Sequence, residues 1–355
     1  MKGRIFRALF LLCLIPVFSG CYVIRQGMYL LSYQSKAQPI DSLLSDNSLP
    51  LREKDFLLTV QDIRNFAVEI IGLEKNKNYS KYIRTPKDHL VDVVSACKAD
   101  EFSAYKWKFP IFGEFPYKGY YKRKDAEKLS RRMEKKGYDV YIREVDAFST
   151  LGFFADPVYS FMTDYSLYFL ANLIIHEQTH ASLFLKNQVR FNEELAMFMG
   201  MEGALLYISR RNGNSSEVRE KIEAYLKDQK TYFSLVEKLR RELEIVYGSD
   251  KNRTEILKEK ERLIQEFKSD IRKNYSSYFD TALFESVPDQ EINNAYILSI
   301  NRYTGDLSLF YELYGCLNNN LPDTFQAVLG VKDYKGDPKE YIHKIIRETR
   351  EQNQP

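Results

Sequence analysis

Residues 167–200 read LYFLANLIIHEQTHASLFLKNQVRFNEELAMFMG, two apolar helical runs separated by the polar residues 186–190. The first run carries an HExxH motif, in which His176 and His180 are four positions apart. Residues four apart lie on one face of a helix, about 6 Å apart along its axis, so both imidazoles can bind one zinc ion. Glu177 stands beside them and can take a proton from a zinc-bound water. The motif therefore predicts metal-assisted hydrolysis.

A catalytic zinc site needs a third protein ligand. A metzincin would have Gly at 183 and His at 186, where this chain has Leu183 and Lys186. No His, Cys or Asp occurs from residue 181 to residue 211. Because helices joined by a short loop are antiparallel neighbours, Glu193 would face the last turns of the first helix. Glu194, about 100° further round the helix, stays open as the alternative ligand.

The composition is that of a folded protein with a sizeable core. The chain has 355 residues, of which 44% are apolar, enough for one large or two modest domains. Its net charge of +3 is small for this length, and no basic cluster stands out, so nothing favours nucleic-acid binding. Apolar periodicity predicts a mainly helical α+β fold, in which a small sheet precedes a helical core with a long helical-hairpin excursion. The HExxH motif within that core leads us to expect it to be zincin-like.

We expect one metallopeptidase domain after a signal peptide. Its parts follow in chain order: signal peptide 1–20, a sheet-containing part at about 40–150, catalytic helices at about 160–210, a helical hairpin at about 214–275 and C-terminal helices at about 283–350. Residues 76–86 are polar and predict a loop, whereas the apolar residues 283–313 predict continuous helix. The hairpin seam is predicted to include Leu239, Ile245 and Ile264.

The start of the chain has the pattern of a secretory signal. Lys2, Arg4 and Arg7 precede the apolar residues 8–18, and Cys21 follows two small residues. This end resembles a bacterial lipobox, although Phe18 replaces the usual Leu. We therefore expect a lipidated Cys21 that anchors the protein to a membrane of the bacterial cell envelope, facing the periplasm or the exterior. Ordinary cleavage that releases a secreted protein stays open as the alternative.

Two further cysteines remain in the mature chain, Cys97 and Cys316. In an oxidising compartment they could form a disulfide, and two unpaired thiols are the equal alternative.

The combined motifs resemble the predicted-aminopeptidase family of bacterial lipoproteins, and the resemblance covers nearly the whole mature chain. Its most specific feature is the HExxH motif followed by Asn192-Glu193. The other matching segments are Cys21, Glu101-Phe102-Ser103, Tyr117-Lys118-Gly119-Tyr120, Tyr138-Asp139-Val140-Tyr141, Ser149-Thr150-Leu151-Gly152, Asp156-Pro157, Phe191 and Asn293-Asn294-Ala295.

This resemblance implies a gluzincin-like zinc peptidase, with peptides as substrates. His176, His180 and Glu193 would hold one Zn²⁺, and Glu177 would be the general base. Tyr303 would donate to the oxyanion, since a phenol can do that work. The resemblance implies zinc peptidase chemistry more firmly than exopeptidase specificity.

Two departures from the family pattern bear on specificity. Glu194 stands where a small Ser looks usual, and the spacing from His180 to Glu193 is shorter than in better-known gluzincin aminopeptidases. An aminopeptidase also needs an acid that binds the free α-amine of its substrate. Glu194 and Glu101 are the candidates that the sequence offers.

Two other functions compete with a membrane-anchored zinc aminopeptidase. One is a non-enzymatic envelope lipoprotein with a structural or vestigial metal site, but such a site has no need of Glu177. The other is a binding scaffold that captures a partner through the helical hairpin. The chain has only four histidines, so a chance HExxH motif is rare and the enzymatic interpretation is favoured.

Overall fold

The computed structural model describes residues 17–109, 113–146, 155–213, 216–301 and 305–352. Over these residues the protein is mainly helical with small sheets, which confirms the expected α+β class. The helices are α1 (Val17–Gln34), α2 (Ile40–Leu44), α3 (Leu51–Glu69), α4 (Arg123–Glu134), α5 (Leu167–Ser182), α6 (Val189–Asn212), α7 (Ser216–Tyr247), α8 (Arg253–Tyr278), α9 (Asn294–Asn301), α10 (Ser308–Cys316), α11 (Leu321–Leu329) and α12 (Pro338–Gln352).

The strands are short and form three sheets within the described ranges. They are β1 (Gln38–Pro39), β2 (Lys81–Ile83), β3 (Val91–Lys98), β4 (Trp107–Phe109), β5 (Gly113–Phe115), β6 (Tyr117–Tyr120), β7 (Tyr138–Val145) and β8 (Val158–Tyr159). The chain clusters into two compact units. Of the residues described, unit I contains 17–36, 89–146 and 228–301, and unit II contains 37–88, 155–227 and 305–352.

Unit I is built on an antiparallel sheet with β3 at its centre and β6 and β7 on either side. Helix α4 covers this sheet, because Leu129 and Met133 pack against Val94 and Val140. A second core cluster joins α7, α8 and α9. Its members from α7 and α8 include the buried side chains of Tyr232, Val236, Leu239, Leu243, Ile264 and Ile271. The apolar faces of the helical hairpin therefore form part of the core of unit I.

Two expectations for unit I need correction. Ile245 was predicted to lie in the hairpin seam, but it is 76% exposed and Leu243 is buried there instead. Residues 283–313 were predicted to be continuous helix, but a 3-10 turn at Val287–Asp289 precedes α9, and α10 is a separate helix. Pro288 lacks an N–H for a helical hydrogen bond, and the side chain of Asn293 accepts from the Tyr296 N–H at 3.0 Å and starts α9 anew.

Unit II contains the three-stranded sheet β1-β2-β8 and a helical core. Residues 76–86 were expected to be a loop, but β2 lies within them, antiparallel to β1 and parallel to β8. Tyr82 and Ile83 are buried, so long-range packing makes a strand of a segment that is locally polar. Helix α3 packs against α5, and α6 contacts α10 and α11.

Helices α5 and α6 of unit II run antiparallel and pack closely against each other. A Cβ added at Gly203 would lie 3.0 Å from two carbons of Ile175 and 3.1 Å from Ile71. A Cβ at Gly200 would lie 2.7 Å from the Asn172 Oδ1 and 3.2 Å from the His176 Cβ. Two glycines on one face of α6 thus allow an approach that larger residues would prevent.

None of the described helices is long and apolar enough to cross a membrane. Cys97 and Cys316 are both free thiols, so the alternative of two unpaired cysteines holds. Residues 1–16 lie outside the described ranges, and the signal peptide and the lipidation of Cys21 stay predictions.

We predict that Gly203→Ala lowers the free energy of unfolding by about 1–3 kcal/mol, because the added methyl group overpacks the contact with Ile175 and Ile71. Gly315, in α10, is the matched control, because a Cβ added there would meet no atom within 4 Å. Gly315→Ala should be neutral or stabilise by up to about 1 kcal/mol. Chemical denaturation checks both variants, and equal stability of the two would contradict close packing at Gly203.

Candidate metal centre and active site

Helix α5 presents its two histidines from a firmly packed position. Its N-terminus is capped by Ser166, whose hydroxyl oxygen accepts from the Phe169 N–H at 3.3 Å. Ile174 and Ile175 are fully buried, whereas His176 and His180 are only partly buried. The apolar face of α5 therefore fixes the helix, and the histidines occupy the face that reactants can reach.

The loop between α5 and α6 is held by Asn192. Its side chain donates to the Leu185 carbonyl at 2.8 Å and accepts from the Leu185 N–H at 2.9 Å. Asn187 turns the chain with a left-handed φ of 63°. Asn192 lies in the first turn of α6. Its two hydrogen bonds to Leu185 therefore fix the position of the neighbouring Glu193. The Asn-Glu pair of the motif thus combines a positioning residue with a ligand candidate.

Glu193 meets the two histidines. The Nε2 atoms of His176 and His180 are 3.2 Å apart, and the Glu193 carboxylate oxygens lie 3.8 Å from the first and 3.5 Å from the second. Together the three side chains form a group that could hold a metal ion. Tetrahedral zinc, with ligand atoms at about 2.0–2.1 Å, separates two of its ligands by about 3.3 Å. The donor atoms therefore fit a zinc ion in both chemistry and spacing.

The protonation of these donors also suits a cation. The Ala196 carbonyl accepts a hydrogen bond from the His176 ring, which leaves the Nε2 lone pair directed at the other donors. Burial, followed by the charge of His180, lowers the pKa of His176 to about 4, so this imidazole is neutral at pH 7. The interaction with His180 lowers the pKa of Glu193, which is therefore ionised at pH 7.

The surroundings of Glu177 raise the pKa of its carboxyl group, whereas those of Glu193 lower it. Burial raises the pKa of its carboxyl to about 7; His180 counteracts this effect, while the charges of Asp156 and Glu193 add to it. The Glu177 side chain is partly exposed. A carboxyl group that titrates near neutrality beside a metal-type donor set is suited to accept and return a proton.

Glu194, the alternative third ligand, is engaged elsewhere. It is 1% exposed, and its carboxylate pairs with Arg190 at 2.7 Å and Lys339 at 2.6 Å. The Asp306 N–H adds a contact at 3.3 Å. Glu194 therefore ties α12 and the residues before α10 to the start of α6. Because the Glu194 carboxylate is already paired with two cations, it is not suited to bind the α-amine of a substrate.

Tyr303 and Glu101 are the remaining residues that the sequence predicts for the site. Tyr303 lies outside the described residues. Glu101 belongs to unit I, where it pairs with Lys98. Asp156 is placed in a turn by the sequence, yet its charge acts on Glu177. The only signal in the sequence for this effect of Asp156 was its place in the Asp156-Pro157 segment of the family resemblance.

Unit I has a second group of the same residue types, His89, Asp92 and Glu144. The Arg123 guanidinium contacts the Asp92 carboxylate at 2.9 Å and the Glu144 carboxylate at 3.1 Å. Both acids already have a cationic partner, so this group is an ion-pair cluster.

We predict that Lys339→Met lowers the free energy of unfolding by about 3 kcal/mol, because it removes a cation from the buried Glu194 carboxylate. Lys332 pairs with the exposed Glu74 at 3.5 Å and is the control. Lys332→Met should change stability by less than about 1 kcal/mol. Urea denaturation compares the two, and a Lys339→Met protein as stable as the control would contradict this role of Glu194.

Comparison with known proteins agrees with the peptidase interpretation. The family model described as "Putative aminopeptidase" matches residues 21–341. No curated protein and no solved structure matches the chain. Since the family match spans the residues of the candidate site and most of the sequence, the chain belongs to this aminopeptidase family.

Proposed function

We propose that this protein is a zinc-dependent metallopeptidase of the aminopeptidase type. His176, His180 and Glu193 would hold the zinc ion, and Glu177 would be the general base. The observation that carries the proposal is the convergence of three donors within 3.8 Å beside a carboxyl group with a pKa of about 7. Family membership supports peptides as the substrate class.

A zinc ion bound by these residues would polarise the scissile carbonyl and acidify water. Glu177 would accept a proton from the attacking water and donate it to the leaving amine. Its pKa of about 7 suits both directions of transfer, because the carboxylate of a much stronger acid would accept the proton poorly and a much weaker acid would return it poorly. His176 stays neutral because of burial, and Glu193 contributes the negative charge that partly balances the cation.

A purely structural metal site is less consistent with this geometry. A structural zinc has four protein ligands, and the donor group found among the described residues has three. Burial raises the pKa of Glu177 by disfavouring its ionised form. A carboxyl group with such a shifted pKa is typical of a catalytic site, and a structural metal site has no need of it. A scaffold function of the hairpin gains no support from α7 and α8, whose apolar faces contribute to the core of unit I.

We also propose that lipidation of Cys21 attaches the protein to a membrane of the bacterial cell envelope. Cys21 lies within α1, which belongs to unit I. The Tyr22 hydroxyl donates to the Gly119 carbonyl, and its ring packs at 5.3 Å from Tyr120. An anchor at this position would hold unit I close to the lipid surface, without a long linker.

We expect Glu177→Gln to keep the zinc ion and to lower kcat for peptide hydrolysis by about 10²–10⁴-fold, since the amide cannot accept the proton. Glu202→Gln is the control. Burial also raises the pKa of Glu202, but its carboxylate accepts a hydrogen bond from the Tyr311 hydroxyl and is not one of the residues assigned to the reaction. Metal analysis and peptide turnover are measured on the same samples. Unchanged turnover in Glu177→Gln would remove the assigned base.

We expect about one zinc ion per chain in the purified protein, and a strong loss of zinc in His180→Ala, because two remaining ligands hold the ion poorly. His343 is exposed in α12, so His343→Ala should retain the metal. Elemental analysis after dialysis measures both variants. A wild-type protein that contains no zinc and takes up none on reconstitution would contradict the proposal.

A further inference from the structure

Helix α1 packs on unit I through one face. The Tyr22 hydroxyl donates to the Gly119 carbonyl, and the Gln26 side chain accepts from the Tyr121 N–H at 3.1 Å. The ring of Tyr33 stacks on the ring of Tyr121 with 5.6 Å between their centres. Tyr22, Gln26 and Tyr33 share one face of a helix at 3.6 residues per turn. These contacts fix which face of α1 is turned away from the unit.

The opposite face of α1 is apolar and exposed. Ile24, Met28 and Leu31 are 64%, 65% and 57% exposed. Their spacing of four and then three positions puts them in one row, about 180° round the helix from the packed face. With Val23 the helix has four exposed large apolar side chains, and no other helix or strand within the described ranges has as many. A contiguous exposed row of this kind marks a protein or membrane contact.

A basic groove lies beside this row. Arg25, next to Ile24 in the chain and about 100° further round α1, lines the groove together with side chains of α4. Among the described residues that line it, the one acid is Asp125, which pairs with Arg25 at 3.3 Å. The cations that α4 contributes are Lys128, Arg131, Arg132 and Lys135. The groove therefore has an excess of positive charge, although the net charge of the whole chain is only +3.

Three of the groove cations have no partner in the part of the chain that the structure describes. Lys128, Arg132 and Lys135 are exposed, and none of them forms an ion pair with another described residue. Arg131 has the Glu127 carboxylate at 3.8 Å, a long contact for an ion pair. The groove can therefore bind anionic groups without first breaking strong ion pairs.

Two further cations lie against the tyrosines of α1. The Lys118 Nζ is 3.9 Å from the centre of the Tyr22 ring, and the Lys122 Nζ is 5.1 Å from the centre of the Tyr29 ring. Both distances are those of cation–π contacts, which hold the charges close to the helix. Positive charge therefore accompanies α1 along the border of its packed face.

An anionic bilayer surface fits this combination of an apolar row and neighbouring cations. A helix with one apolar face and Lys and Arg beside it lies in the plane of a membrane interface, with its cations at the lipid phosphates. None of the described helices, α1 included, is long and apolar enough to cross a membrane. Residue 21, the proposed lipidation position, precedes Ile24 by three positions and so belongs to the same row by helical spacing. A lipid attached there would bring the row to the surface that the lipid enters.

We propose that α1 and the basic groove form a membrane-binding surface, in which Ile24, Met28 and Leu31 insert among the lipids and the groove cations bind the phosphates of anionic phospholipids. The lipid on Cys21 would supply attachment, and this surface would orient unit I on the bilayer. The choice of a membrane rests in part on the proposed lipidation, but binding without lipid tests the surface separately. The peptidase chemistry is not required for it.

The test uses the mature chain from residue 21 with the change Cys21→Ser, which cannot be lipidated. Vesicles of phosphatidylcholine are compared with vesicles of equimolar phosphatidylcholine and phosphatidylglycerol. Sedimentation should show binding to the anionic vesicles that is tighter by about tenfold or more, because phosphatidylglycerol leaves its phosphate charge uncompensated. Added salt should weaken this preference, since it screens charges at the surface.

Neutralising the groove should remove the preference for anionic lipid. The triple variant Lys128→Gln, Arg132→Gln, Lys135→Gln should bind anionic vesicles more weakly by about tenfold or more and bind neutral vesicles unchanged. The matched control removes three exposed lysines of α7 and α8 that do not line the groove, by the changes Lys230→Gln, Lys258→Gln and Lys273→Gln. This control should bind both kinds of vesicle like the parent chain.

Replacing the apolar row should weaken binding to both kinds of vesicle. The triple variant Ile24→Gln, Met28→Gln, Leu31→Gln should lose about tenfold or more in affinity for each, because insertion does not depend on lipid charge. The control replaces three exposed apolar side chains of α3 and α7, by the changes Leu51→Gln, Leu58→Gln and Ile245→Gln. Circular dichroism and peptide turnover verify folding, because none of the replaced residues belongs to the candidate site.

Each outcome bears on one proposal. Failure of the Cys21→Ser chain to bind either kind of vesicle overturns the surface and leaves lipidation and peptide hydrolysis in place. Anionic binding that persists in the groove variant overturns the role of the cations and the proposal with it. A dimer that the apolar-row variant converts to a monomer assigns the row to a second copy and overturns the membrane. Vesicle binding by a chain that cleaves no peptide supports the surface and overturns the proposed function alone.

Discussion

The close contact between α5 and α6 is the constraint on which the candidate site depends. The two histidines come from one helix and Glu193 from the other, so their convergence requires both helices in one register. Gly200 and Gly203 permit the approach, and Asn192 fixes the register by pairing with both backbone groups of Leu185. A ligand on a second helix is placed only as accurately as the helices pack.

The acids of unit II fall into two electrostatic classes. Glu194 is buried but has Arg190 and Lys339 as cationic partners, so its role is to hold elements together. Glu177 and Asp156 have raised pKa values because of burial, and no described cation is paired with either carboxylate. Protein interiors tolerate an uncompensated acid where a ligand or a reaction supplies the missing charge. This contrast distinguishes the structural acid Glu194 from Glu177, which we assign to the chemistry.

Several motifs of the family resemblance have a structural role in unit I. The Asn293 side chain donates to the Val140 carbonyl at 2.9 Å, and the Asn294 N–H donates to the Asp139 carboxylate at 2.8 Å. The buried Lys260 also pairs with Asp139. These residues join α8 and α9 to β7 through a satisfied polar network, which explains their presence without a role in the chemistry.

The sequence alone determined the features that depend on near neighbours along the chain. The apolar periodicity located α3, α5, α7, α8 and the strands β3 and β7, and the HExxH spacing put two imidazoles on one helical face. Glu193 could be selected because the short loop left few arrangements of two helices. By contrast, β2, the break of residues 283–313 and the exposure of Ile245 depend on contacts between distant segments. Only the tertiary structure decided that Glu194 is neutralised by Lys339, 145 positions away (339 − 194), and that Asp156 acts on Glu177. The physical reason is that local spacing specifies which face a side chain occupies, whereas burial and charge depend on what the folded chain brings to that face.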